Sequence, residues 1–247
     1  MLPIGDDSLP GRGFAWVTAT LIGLNVAVFV ALQGATGDNP FTYGFSAIPR
    51  ELLNGVDLVN PEQVLIGGQS YFVPQAPGPD PIWLTLLTSI FMHGGWLHLG
   101  GNMLFLWIFG DNVEHRAGRV LFLAAYLGAG VVGTLAQVWS EPDSPIPTLG
   151  ASGAISGVLG AYLVLFPRNR VTAVIFNFVT HVPAVVAIGM WIVLQLVNGL
   201  GTAAISSETA GGVAYLAHFG GFAVGLLAGL VFRSALPEPE PRYRPGR

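Results

Sequence analysis

Four polar side chains on three hydrophobic segments have the residue types needed for acyl transfer. They are Ser152 after Gly150-Ala151, His98 and Asn102 four residues apart on an earlier segment, and His218 on a later one. A serine hydroxyl is a weak nucleophile until a neighbouring base such as histidine takes its proton. The tetrahedral intermediate needs hydrogen-bond donors, which an asparagine amide and a second histidine can supply. These residue types predict a serine hydrolase.

The composition indicates that these residues belong to a membrane protein. Of the 247 residues, 52% are hydrophobic and 10% are charged, whereas about 25% of the residues in soluble domains are charged. The chain has no cysteine, which excludes disulfides and thiolate nucleophiles. All ten basic residues are arginine, a bias that we attribute to a GC-rich bacterial genome.

Hydropathy predicts an all-α polytopic membrane protein with six spanning helices. The predicted spans are 15–34, 92–113, 118–139, 151–166, 171–199 and 212–232. The fourth span is only about 24 Å long at 1.5 Å per residue, against a hydrocarbon core of about 30 Å. We therefore expect re-entrant chain buried within the protein to complete its missing end.

The predicted domains follow from these spans. A cytoplasmic segment 1–14 precedes a membrane domain 15–233, and a proline-rich cytoplasmic tail 234–247 follows it. The first outer loop, about 36–82, is long and aromatic, so we expect it to lie in the membrane interface and pack against the side of the bundle.

The arginines predict the orientation of the chain. Nine of the ten lie in segments on one side of the predicted helices, and only Arg50 lies on the other. The positive-inside rule then puts both termini in the cytoplasm, and we expect the bacterial cell (inner) membrane. In this orientation all four polar groups lie in the outer half of the bilayer, with His98 and His218 each about 9 Å along its helix.

The predicted site is a dyad of Ser152 and His218. No Asp or Glu falls in the outer half of any predicted span, so the third member of a triad is missing. Donors to the oxyanion would come from Asn102, His98 and the backbone N–H of Ser152 at a helix start. Small residues every three or four positions favour close helix packing below both groups; these are Gly153, Gly157 and Gly160, and Gly221, Gly225 and Gly229.

At these residues the chain resembles the rhomboid intramembrane serine proteases. The matching motifs are Gly150-Ala151-Ser152-Gly153, Ala217-His218-Phe219-Gly220-Gly221, the run from His93 to Asn102, and Gly110-Asp111-Asn112-Val113-Glu114. The resemblance implies Ser152 as nucleophile, His218 as general base, and His98 with Asn102 at the oxyanion hole. It also implies cleavage in or near transmembrane segments without metal or cofactor, and a gate near the fifth span.

The chain departs from the family in two places. Some members carry a tyrosine four residues after the serine, whose ring stacks on the histidine, whereas this chain has Ser156. Packing or another polar partner must then orient His218. Some members also carry a Trp-Arg pair in the first outer loop, and this chain has no such dipeptide.

Each site residue also has a structural interpretation. Ser152 can bond within its helix, Asn102 can join helices, and His98 can bond a loop carbonyl. An ionisable group such as His218 inside a membrane is a functional candidate by default.

The remaining polar residues are interpreted as structural. His93 is expected to brace the start of the second span, and His181 to lie near mid-membrane, bonded across a proline break. His115 lies at the cytoplasmic edge. Glu114 is expected to pair with Arg116 and Arg119 or to cap a loop. The histidines form no His-Glu-x-x-His motif, so no metal site is expected.

Two other functions remain open at this stage. A non-catalytic relative would bind transmembrane helices and is expected to have lost the serine or histidine. A channel or transporter would need a polar path toward the cytoplasm, whereas the inner halves of the relevant spans are apolar. For a protease the expected partners are transmembrane protein substrates and the lipid bilayer, with no nucleic acid; the sequence leaves the oligomeric state open.

Overall fold

The computed structural model describes residues 1–7, 13–66, 68–205 and 214–236. The long helices are α1 (Trp16–Ala27), α5 (Trp96–Ala117), α6 (Arg119–Ser140), α7 (Ser152–Leu165), α8 (Ala184–Ile205) and α9 (Tyr215–Ala235). Short helices are α2 (Pro40–Phe45), α3 (Pro49–Asn54) and α4 (Thr85–Thr88), and α1 continues as a π-helix over Val28–Leu32. The strands are β1 (Leu2–Asp6), β2 (Glu62–Ile66), β3 (Gln69–Val73), β4 (Arg170–Ile175) and β5 (Phe178–Pro183).

The long helices overlap all six predicted spans, but the six-span count is not confirmed. Within the described ranges, only α6 and α9 combine the length and hydropathy needed to cross a bilayer. The apolar parts of α1, α7 and α8 are shorter. Polar residues such as His98, Asn102 and Asp111 interrupt the hydrophobic sequence of α5.

The predicted start of the fifth span is wrong. Residues 170–183 form the antiparallel hairpin β4–β5, and α8 begins only at Ala184. The segment is apolar, but it is rich in β-branched residues, and Phe176 and Asn177 have the positive φ angles that a tight hairpin turn requires. His181 therefore lies on β5, before the fifth long helix begins, with its Nδ1 3.0 Å from the Thr172 hydroxyl.

The fold is mostly helical but not all-α. Strand β1 pairs antiparallel with β4, which gives a three-stranded sheet of order β1-β4-β5. The Asp6 carboxylate, at the end of β1, accepts hydrogen bonds from Asn112 of α5 and Tyr162 of α7. Burial raises the pKa of Asp6. This strand therefore fastens the C-terminal halves of α5 and α7 to the hairpin that precedes α8. Of the predicted tail 234–247, Ser234 and Ala235 belong to α9, and the residues from 237 onward lie outside the described part of the chain.

Glu114 caps a helix, and the predicted ion pair with the neighbouring arginines does not form. Its carboxylate accepts hydrogen bonds from the backbone N–H groups of Val17 (3.0 Å) and Thr18 (2.7 Å) and from the Thr18 hydroxyl (2.8 Å). These N–H groups lie in the first turn of α1, where they lack intrahelical acceptors. A carboxylate there also interacts favourably with the helix dipole.

Helices α7 and α9 pack with their backbones almost in contact, as their glycines predicted. A Cβ added to Gly225 would lie 1.9 Å from the carbonyl oxygen of Gly157, and one added to Gly221 would lie 2.0 Å from that of Gly153. Helix α6 also packs closely against α9, since a Cβ added to Gly133 would lie 2.5 Å from the Ala217 carbonyl oxygen. Only glycine permits these approaches, so the packing fixes α9 against α7.

The long loop between α1 and α5 packs against the segment that leads into α7. Ala47 and Thr148 exchange two backbone hydrogen bonds, and Gln75 donates to the Pro145 carbonyl. The N–H of Gly150 donates to the carbonyl of Ser89 at 2.9 Å. These bonds set the position of the chain that enters α7.

Replacing Gly225 with alanine is expected to destabilise the bundle by about 1–3 kcal/mol, because the added Cβ must push α9 away from α7. The measurement is the thermal unfolding midpoint in detergent. The matched control is Gly128→Ala on α6, where an added Cβ has no neighbour within 4 Å. Equal midpoints for the two variants would contradict the packing described above.

The buried Glu51 of α3 is expected to make stability depend on pH. Burial, with Asp57 adding to it, raises the pKa of Glu51 to about 7 from an ordinary value of 4.5. Between these values the unfolded chain releases the proton and the folded chain keeps it, so stability falls as pH rises. The unfolding midpoint should therefore decrease from pH 4.5 to 7.

Glu51→Gln removes this titration, so its midpoint should decrease less than that of the unmodified protein over the same pH range. The control is Gln63→Ala on β2, which changes no titratable group and should keep the pH dependence of the unmodified protein. A Glu51→Gln variant with an unchanged pH dependence would refute the assignment.

Candidate active site

The four predicted site residues line one cavity of about 780 Å³. Each lies within the first two turns of its helix: Ser152 on α7, His98 and Asn102 on α5, and His218 on α9. The starts of these three helices therefore meet at one end of the bundle. The other walls come from α8 and from apolar residues of α5 and α7.

Ser152 and His218 are directly hydrogen bonded. The Ser152 Oγ lies 2.8 Å from Nε2 of His218, within the reach that proton transfer requires. His218 is only 7% exposed. Ser152 is the first residue of α7, so its backbone N–H has no acceptor within the helix and is free to bond to a group in the cavity.

The conformation of Gly150 brings His98 close to the serine. Gly150 has φ +127°, a value that favours glycine, and a Cβ there would lie 2.8 Å from Cε1 and 2.9 Å from Nε2 of His98. The Nδ1 of His98 accepts a hydrogen bond from the Gly94 N–H at 3.3 Å. An accepting Nδ1 leaves the ring proton on Nε2, which is therefore a donor next to Ser152.

Asn102 presents an unused donor to the same cavity. Its side chain is 8% exposed, and its Nδ2 has no hydrogen-bond partner among the described residues. A buried amide without a partner costs about 1–3 kcal/mol. A donor left free in this way is suited to a ligand oxygen that forms during a reaction.

The Ser156 hydroxyl bonds within its own helix and not to the His218 ring. The hydroxyl is buried and donates to the Ser152 carbonyl at 2.6 Å. Two aromatic rings lie near the histidine instead: Trp191 of α8 at a centroid distance of 5.9 Å and Tyr215 of α9 at 6.4 Å.

Gln195 of α8 is a polar neighbour of the site that the sequence analysis missed. Its Oε1 lies 2.9 Å from Nδ1 of His218. It belongs to none of the matched motifs, and the wrong start of the fifth span obscured its depth. The spacing of Trp191 and Gln195, four residues apart on one helical face, was the available signal.

His93 packs against His98 at the start of α5. It is fully buried, and its ring meets that of His98 edge-on at 5.1 Å. The backbone N–H and C=O of His93 bond to the side chain of Gln33, each at 2.9 Å. These contacts agree with the predicted structural role of bracing the start of α5.

Comparisons with known proteins place this geometry in a family. The Rhomboid domain model matches residues 81–235, which include all four predicted site residues. The chain is 34% identical over 163 residues to Rhomboid protein 1, mitochondrial, of Saccharomyces cerevisiae, covering 64% of this chain and 44% of that protein.

Relatives from other groups also match. The chain is 48% identical over 88 residues to Rhomboid protease GluP of Bacillus subtilis, covering 36% of this chain and 17% of that protein. It is 31% identical over 162 residues to RHOMBOID-like protein 5 of Arabidopsis thaliana, covering 65% of this chain and 48% of that protein. The chain thus spans less than half the length of each of these relatives. Since the family model covers more than half of the chain, this protein belongs to the rhomboid family of helical membrane proteins.

Proposed function

We propose that the protein is an intramembrane serine protease that hydrolyses peptide bonds in or near transmembrane segments of membrane proteins. The observation that carries the proposal is the 2.8 Å hydrogen bond between Ser152 Oγ and His218 Nε2 inside a cavity of the bundle. The name of GluP as a rhomboid protease supports the same reaction class.

The first half of the reaction is acylation of Ser152. Nε2 of His218 takes the hydroxyl proton while Oγ attacks the scissile carbonyl carbon. The carbonyl oxygen becomes an oxyanion, which accepts hydrogen bonds from Nε2–H of His98 and Nδ2–H of Asn102. The intermediate then collapses, the C–N bond breaks, and protonated His218 gives its proton to the leaving amine.

The second half releases the acyl group. Water gives a proton to His218 and attacks the ester carbonyl. The same donors stabilise the second oxyanion, which collapses with cleavage of the bond between the acyl carbon and Ser152 Oγ, while protonated His218 gives its proton to Oγ. The cavity adjoins the starts of the helices, which is the outer side in the orientation that the arginines predict. Water can reach the dyad from that side.

The substrate would enter sideways from the lipid. Trp96 and Leu97 of α5 and Trp191 of α8 line the cavity, and Leu97 is 94% exposed. An apolar side chain this exposed suits contact with lipid or with a transmembrane segment. We place both termini in the cytoplasm and the protein in the cell membrane, as the arginine distribution predicts.

Ser152→Ala and His218→Ala are each expected to lower the turnover of a transmembrane substrate by about 10⁴- to 10⁶-fold, because each removes a partner of the proton transfer. The measurement is cleavage by purified protein in detergent, with the unfolding midpoint as a check on folding. Ser140→Ala, at the exposed end of α6, is the matched control.

A fluorophosphonate probe separates this proposal from a binding-only relative or a channel. The probe should label the unmodified protein and the Ser140→Ala control but not Ser152→Ala. A folded, unlabelled protein, or turnover that survives in Ser152→Ala, would refute the proposed function.

A further inference from the structure

We propose that Gln195 is the positioning residue of a Ser152–His218–Gln195 triad, an inference that rests on the proposed function. Its amide oxygen lies 2.9 Å from Nδ1 of His218, on the opposite side of the ring from Ser152. It lines the same cavity as the dyad. The residue therefore occupies the place where a carboxylate stands in a serine protease triad.

The first consequence concerns the tautomer of His218. An amide oxygen only accepts, so the bond to Gln195 requires the proton on Nδ1. A neutral imidazole carries one ring proton, which leaves Nε2 unprotonated and facing the Ser152 hydroxyl at 2.8 Å. The other tautomer has its proton on Nε2 and cannot act as the base.

The second consequence concerns the orientation of the ring. Gln195 and Trp191 are four residues apart and lie on one face of α8. Gln195 bonds the ring edge of His218, and the tilted Trp191 ring lies 5.9 Å from it. Since the Ser156 hydroxyl bonds to the Ser152 carbonyl, the polar partner on the Nδ1 side of His218 comes from α8, whereas α7 contacts the ring through Ser152 at Nε2.

An amide suits this place for an electrostatic reason. A buried carboxylate must be paired or neutralised, because an isolated charge in a medium of low dielectric constant is very costly. The carbonyl dipole of Gln195 stabilises the protonated ring that forms during catalysis without placing a permanent charge in the bundle. The described residues that line the cavity include no Asp or Glu, and this is compatible with a complete triad.

The third consequence links the triad to the position of α8. Several apolar residues of this helix are 41–61% exposed; these are Val185, Val186, Met190, Val193, Leu194, Leu196 and Val197. The helix is therefore packed on one side only. A displacement of α8 removes the acceptor from Nδ1, so His218 is held in its competent tautomer only while α8 is in place.

The test compares two substitutions at one position. Gln195→Met keeps the length of the side chain but removes the acceptor, and Gln195→Glu keeps the acceptor. Gln137→Met on α6 is the matched control, since it makes the same substitution outside the cavity. The measurement is the rate of fluorophosphonate labelling of Ser152, resolved into a maximal rate and an apparent affinity across pH.

Gln195→Met should lower the maximal labelling rate about 10- to 100-fold with little change in apparent affinity, because proton transfer is impaired and binding is not. Gln195→Glu should stay within about fivefold of the unmodified protein, with the acidic limb of its pH–rate profile moved to higher pH. That shift follows because a carboxylate beside Nδ1 stabilises the protonated ring. Gln137→Met should leave both parameters unchanged.

Two results would overturn the triad while leaving the dyad intact: a Gln195→Met rate within twofold of the unmodified protein, or equal losses in the Met and Glu variants. If Gln195→Met does not fold, the pH–rate profile of Gln195→Glu is the test. An acidic limb at the same pH as in the unmodified protein would refute the triad. Failure of the unmodified protein to label would refute the proposed function itself.

Discussion

The site depends on the contact between the backbones of α7 and α9. A hydrogen bond between a serine on one helix and a histidine on the other requires the two helices to be held close together in a fixed register. Gly157 and Gly225 meet this requirement, since a Cβ on Gly225 would lie 1.9 Å from the Gly157 carbonyl oxygen. The 2.8 Å distance between Ser152 and His218 follows from this packing one to two turns away.

Around this contact, some buried polar groups of the described bundle have hydrogen-bond partners and others have none. Glu114 and Asp6 have well-matched partners and join elements distant in sequence: α5 to α1, and β1 to α5 and α7. By contrast, Nδ2 of Asn102 has no partner in the described part of the chain. Because an unmatched buried donor is costly, its persistence inside a cavity beside Ser152 supports a role in binding an oxygen that appears only during the reaction.

The sequence predicted the residues around Ser152 because their types are rare in apolar helices and their motifs lie at helix starts. The sequence-based prediction was wrong where pairing with a distant strand decides the local structure. The apolar run after Arg170 satisfies a hydropathy window, but its β-branched residues pair with β1, which no local signal reveals. Gln195 was missed because a single glutamine on a long apolar helix is ordinary, and only the packing of α8 on α9 brings it to His218.

In the proposed mechanism, one cavity holds Ser152, His218 and the oxyanion donors of His98 and Asn102 in a single arrangement. The most direct measurement is an experimental structure of the protein after reaction with a fluorophosphonate. We expect a phosphorus–oxygen bond at Ser152 Oγ, with the phosphonyl oxygen within hydrogen-bond distance of Nε2 of His98 and Nδ2 of Asn102. An adduct on another residue, or a phosphonyl oxygen that turns away from both donors, would contradict this mechanism.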